Sequence, residues 1–184
     1  MKAIEWFWNL MFYYLFNWYV KANRLLDYFN PFYWFNKKSI VKEHKASHGI
    51  SDWNKFTDDF MNNPKTGLGL GFVYYTIGGL FTQIVINFLA FVMFLLKRSV
   101  FDILDSTFLS VIVGGVIILI TIRFNHLVLY RNDKYLDYFA KFGKLSDKKK
   151  MVYGWLCFGV IILIWVIFFA TLSLQGKYAP IHRR

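Results

Sequence analysis

Three apolar runs, Gly67–Leu96, Phe101–Ile122 and Val152–Leu174, decide which solvent this chain folds in. About 20 mostly apolar residues, at about 1.5 Å of rise each, cover a hydrocarbon core of about 30 Å. The first and third runs meet that length without a charged residue. In the second, the uncharged part is Ser106–Ile122, so it crosses when Asp102 and Asp105 sit among headgroups and Arg123 marks the other boundary. The expectation is an all-α, polytopic integral membrane protein with three transmembrane helices.

The rest of the chain is organised around those spans. Residues 1–66 read as cytoplasmic and interfacial helices with an aromatic anchor, 67–174 as the membrane domain with a basic helical connection at 123–151, and 175–184 as a short outer tail. The longest polar stretch, Lys37–Thr66, is too short to bury a core of its own. In Ala3–Phe29 the polar positions Glu5, Asn9, Tyr13, Asn17 and Lys21 recur every four residues, opposite Ile4, Trp8, Met11, Leu15, Trp18 and Tyr19. That periodicity predicts an amphipathic helix in the headgroup plane, its polar stripe toward water. A fourth span is the alternative, because Glu5 is the only charge between Ile4 and Val20.

Tyr28–Phe35 brackets Pro31 with aromatic residues and reads as an interfacial anchor that turns the chain. Ser51 is expected to cap a short helix running to Met61 with Trp53, Phe56 and Phe60 on one face, and Asn62-Asn63-Pro64 to end it. After the second span, Tyr135, Leu136, Tyr138, Phe139 and Phe142 form an apolar helical face; Gly143 should stop that helix and Ser146 should cap the third span.

The net charge of +11 lies mainly beside the spans, where lipid and insertion topology account for it without nucleic acid. Residues 1–66 hold nine Lys and Arg and the 123–151 connection eight, against two in 97–107 and three after Leu174. The positive-inside rule then puts the first two regions in the cytoplasm or matrix and the C-terminus outside. Phe, Tyr, Asn, Ile and Lys are abundant while Ala, Arg and Pro are scarce, which suits an AT-rich coding genome, bacterial, phage or organellar, and the expected location is a bacterial or organellar inner membrane. No cleavable signal is expected, since the N-terminal apolar stretch is crowded with bulky aromatics and no small-x-small site follows. Anionic headgroups are the expected partner of Lys148, Lys149 and Lys150.

Gln83 and Asn87 stand four residues apart near the middle of the first span and share one face. An amide facing hydrocarbon is costly, so that face should meet another helix, another subunit or a polar path. Thr76 and Thr82 are expected to bond within their own helix. Gly67, Gly71, Gly78, Gly79, Gly114 and Gly115 are candidates for close helix approach. The run Gly67-Leu68-Gly69-Leu70-Gly71 lacks the preceding strand and glycine register of a dinucleotide loop. Asp102 and Asp105 form an outer acidic pair that caps the second span, or binds cations.

His44 and His48 share a helix spacing with Glu43 adjacent, but in the wrong order for a zinc-protease motif and without a third ligand nearby. Cys157, the sole cysteine, sits inside an apolar run and reads as a small buried group. No catalytic, metal or cofactor set is expected. The functional expectation is a non-catalytic membrane component acting through helix association, as an accessory subunit or small regulator of a complex. The alternative is a homo-oligomeric channel lined by the Gln83/Asn87 face.

Overall fold

A computed structural model describes residues 2–29, 53–97 and 106–175. Every element in them is helical: α1 (Lys2–Phe29), α2 (Trp53–Asn62), α3 (Leu68–Leu95), α4 (Thr107–Asn125), α5 (Lys134–Gly143) and α6 (Asp147–Gln175). The fold is all-α, and three of its helices, containing α3, α4 and α6, are long and apolar enough to cross a membrane. His44, His48, Asp102, Asp105, the 30–35 part of the aromatic anchor and the C-terminal tail lie outside the described residues.

The span boundaries follow local chemistry. Ser106, in extended conformation, accepts a hydrogen bond from the Leu109 amide and starts α4, a cap placed immediately after the acidic pair that the sequence suggested for that task. The helix runs past Ile122 through Arg123 to Asn125, then widens into a π turn at His126–Tyr130 and a 3-10 turn at Arg131–Asp133. Asn132 and Asp133 take positive φ of 60° and 51°. Asn and Asp tolerate that region better than other non-glycine residues, and here they turn the chain from α4 into the arm helix α5.

α3 is the central span. It packs along α6, along α4 and against α1. Thr82 of α3 meets Thr121 of α4, Phe81 stacks on Phe124 at 4.1 Å between ring centroids, and Asn87 reaches Ile164 of α6. These pairs set the helices at matching levels. At about 1.5 Å per residue α4 is about 28 Å long, while α3 and α6 run to about 42 Å or slightly more. The extra turns of α3 and α6 project at the end where α4 finishes, and α1 occupies the space between them.

α1 packs against both helices at different angles. Against α3 it is antiparallel, with Tyr19 beside Phe72 and Trp8 beside Phe81. Against α6 it crosses steeply: Trp6 touches Tyr153 and Trp18 touches Phe158, so about 18 Å of α1 passes over about 7.5 Å of α6. The arm α5 closes the remaining side. The Glu5, Asn9 and Tyr13 part of the expected water-facing stripe is therefore covered by protein, while Lys21 stays exposed. Asn9 is fully buried, Tyr13 packs on Phe139 and Phe142, and Glu5 is taken up by Lys134. A four-residue polar period meets the apolar face of α5 and the carbonyls of the π turn as readily as it meets water, and the sequence pattern does not distinguish them.

The two ends of the molecule differ in packing. Trp8, Leu10, Met11, Phe12, Tyr14 and Phe16 of α1 are all buried, with Leu129, Tyr135 and Phe142 from the connection. In α4 only Thr121 and Asn125 are buried, both in its last two turns.

Candidate functional site

The side chains that organise the molecule converge where α1, the end of α4 and the arm meet. Trp8 donates its indole Nε1–H to Asn125 Oδ1 at 2.8 Å, with both residues buried. Asn125 donates in turn to the Thr121 carbonyl at 3.1 Å, and the Thr121 hydroxyl pairs with that of Thr82 at 3.0 Å. A continuous chain of polar contacts thus runs from α1 through α4 to α3. Such groups are held in place because each would be costly to leave unpaired once buried.

Asn9 makes a second link. Its Nδ2 donates to its own helix at the Glu5 carbonyl, 2.8 Å, and to the Val128 carbonyl, 3.0 Å. The π turn frees carbonyls from the regular ladder, and Asn9 uses one of them. Its Oδ1 and the Tyr130 hydroxyl are buried without a partner in the protein. Glu5 closes the junction on the arm side through Lys134 Nζ at 2.9 Å and the Tyr138 hydroxyl at 3.4 Å. Burial, then the neighbouring Glu5 carboxylate, holds the Tyr138 phenol above its ordinary value, so it stays neutral and donates.

Of the residues singled out in the sequence, Asn87 is turned toward α6, donating to the Ile164 carbonyl at 3.3 Å. Gln83 Nε2 and Asn87 Oδ1 are buried without a partner in the protein. Thr76 bonds within its own helix to the Phe72 carbonyl, as expected, but Thr82 is an interhelical contact, contrary to expectation. Its hydroxyl is not absorbed by the α3 backbone because Thr121 presents one directly opposite.

The glycines divide. A Cβ on Gly67 would run into the Asn63 backbone, and one on Gly78 would touch Asn125 and Thr121 at 3.8 Å. Gly71, Gly79, Gly114 and Gly115 face open space, so within the described residues they are not sites of close helix contact. The tight approaches are at Gly69, against the Tyr19 ring and the Met61 carbonyl, and Gly154, against the Tyr14 ring at 3.3 Å. Cys157 is fully buried. Lys148 and Lys149 are exposed, while Lys150 lies beside Asp147 at 4.0 Å and its carbonyl accepts from Tyr14 at 2.7 Å.

Sequence reading missed Asn125, the centre of the junction. The available signal was an amide two residues beyond Arg123, at the polar edge of a span and flanked by Phe124 and His126. What the geometry defines is a polytopic all-α protein whose membrane-length helices are tied at one end by a buried N-terminal helix. No protein-family model matches the chain, and neither does any curated protein or solved structure.

Proposed function

We propose that this chain is a non-catalytic integral membrane component that works by associating with other membrane helices, as an accessory subunit or small regulator of a complex. One observation carries the reading: α4 buries only Thr121 and Asn125 against its own chain, and leaves Gly114 and Gly115 open in the part that would lie in the bilayer. Small residues on an unpacked face let a second helix approach closely. Beside that face, α3 and α4 leave an apolar groove of about 340 Å³ lined by Val85, Leu89, Ile112 and Val116, among others.

The level of the charges supports a placement in the membrane. Arg123, the arm and Lys148–Lys150 gather at the α1 end, which the excess of Lys and Arg assigns to the cytoplasmic or matrix side of a bacterial or organellar inner membrane. α1 then lies at the interface, packed on the turns of α3 and α6 that rise beyond α4. The pore alternative needs Gln83 and Asn87 on a shared axis, whereas Asn87 is engaged with α6.

Extraction in mild detergent followed by native electrophoresis and identification of co-migrating chains tests the reading. The expected result is a complex containing other polypeptides, which the double substitution Gly114→Ile, Gly115→Ile releases as a folded single chain. Retention of every partner by that variant would remove α4 as the contact face; a ring of this chain alone with measurable conductance would favour the pore.

A further inference from the structure

Between α1 and α6 lies a groove of about 740 Å³, on the opposite side of α1 from the polar junction. α6 lines it from Asp147 to Phe158, about 16 Å of helix. The first turn of that stretch is charged, with Asp147 and Lys150, and from Met151 onward it is apolar, ending at Trp155 and Phe158. α1 contributes Asn17 and Lys21 as polar groups and Trp18 as an aromatic wall. The floor is set by Tyr14, whose hydroxyl is committed to the Lys150 carbonyl and whose ring lies against Gly154, where no larger residue fits without displacing it.

We propose that this groove is a binding site for one anionic phospholipid, its phosphate held by Lys21 and Lys150 and an acyl chain laid along Trp18, Trp155 and Phe158. This rests on the membrane placement given above, in which the N-terminal end of α6 lies at headgroup level. The complementarity is of both kinds a phospholipid needs. The mouth carries two ammonium groups from different helices, Lys21 and Lys150, and one carboxylate, Asp147, whose side chain is fully exposed to solvent, so its balance is net positive. The long lysine stems let the charges stay at the water boundary while the groove beneath them stays apolar. The groove's volume falls within the range that holds a small ligand.

The experiment is native mass spectrometry of the full chain in detergent, titrated separately with phosphatidylglycerol and phosphatidylcholine. One retained phosphatidylglycerol per chain is expected, at about tenfold lower concentration than phosphatidylcholine requires. The double variant Lys21→Gln, Lys150→Gln should abolish that preference, while Lys148→Gln, Lys149→Gln, equal in charge but outside the groove, should keep it. Met151→Trp, a change at an exposed lining position, should weaken both lipids by filling the space.

Equal loss from the Lys148/Lys149 variant would mean diffuse attraction and overturn the site. Displacement of the lipid by inorganic phosphate at comparable concentration would assign the lysines to free phosphate and overturn it too. Carbonate extraction of native membranes separates the two readings. A chain released without detergent defeats the membrane placement itself, whereas a chain that stays in the membrane but shows no saturable lipid defeats only the groove.

Discussion

Phe12 and Phe108 are both helical phenylalanines, yet Phe12 has no exposed surface and Phe108 is 74% exposed. The contrast extends to the regions around them. Around Phe12, the rings of Tyr130, Tyr135 and Phe139, from the π turn and the arm helix, lie within 6.1 Å. Around Phe108, α4 presents Val111, Ile118 and Leu119 as exposed surface. Removing apolar surface from water explains the first region, but the second has no such gain unless lipid or another helix covers it. The junction at α1 is therefore where this chain supplies its own stability, and the outer part of α4 is where it depends on its surroundings.

The sharpest way to break that comparison is to cut a large side chain from each region. Phe12→Ala leaves a cavity among three aromatic rings and should cost about 3–5 kcal/mol, or prevent folding outright. Leu119→Ala, at a position 68% exposed, should change stability by no more than about 0.5 kcal/mol. Thermal unfolding in detergent, with cysteine cross-linking of α1 to α5 as a check on the fold, measures both. Similar losses at the two sites would mean that α4 is packed in a way the structure does not show.

Adding atoms probes the same contrast from the other direction. Gly69→Ala drives a methyl into the Tyr19 ring and the Met61 carbonyl, at the point where α1, α2 and α3 meet; the expected cost is about 1–3 kcal/mol. Gly79→Ala, one helix face away, meets nothing and replaces the poorer helix former, so it should be neutral or stabilising by up to about 1 kcal/mol. The difference in unfolding midpoint between these two variants reads the junction directly, since both make the same chemical change in the same helix.

Much of the architecture could be read from the sequence because membrane-length apolar runs carry one dominant signal. Leu68–Leu95 matches its expected run within a residue at each end, and the arm helix appears where Tyr135, Phe139 and Phe142 repeat. The junction was much less legible. Glu5, Asn9 and Tyr13 are polar with a helical period, and periodicity reports which residues share a face but not what covers it. The covering element, α5, comes more than a hundred residues later and reaches α1 only because Asn132 and Asp133 turn the chain back. Thr82 and Asn125 were likewise invisible as partners: an interhelical hydrogen bond depends on the relative level of two helices, which no single-helix pattern encodes. The glycine pattern is ambiguous for a related reason, since the same residue type meets close neighbours at Gly69 and open space at Gly114.

The smallest expected effect lies at the edge of the junction, where α2 is held to α1 by polar groups, with Arg24 and Asp58 exposed. Asp58 accepts from Asn62 at 2.7 Å and from Arg24 at 3.2 Å, and Asn23 donates to Asn62. The Asn62 amide first, and Arg24 second, hold the Asp58 carboxyl below its ordinary value of 3.8. A depressed folded-state value means that the ionised form is the one the fold prefers. Its contribution is full above the ordinary carboxylate range and is lost as pH falls through the lower folded value. Because Arg24 and Asp58 are 61% and 44% exposed, solvent screening limits the pair to about 0.5 kcal/mol or less. At neutral pH Asp58→Asn should therefore lower the unfolding midpoint slightly. The gap from the native chain should close below pH 3.8, where the native carboxyl also begins to lose its charge. A gap that stayed constant into acid would show that α2 is held by shape at Gly69 and Met61 alone, and would draw the boundary of the self-stabilised region inside α2 rather than beyond it.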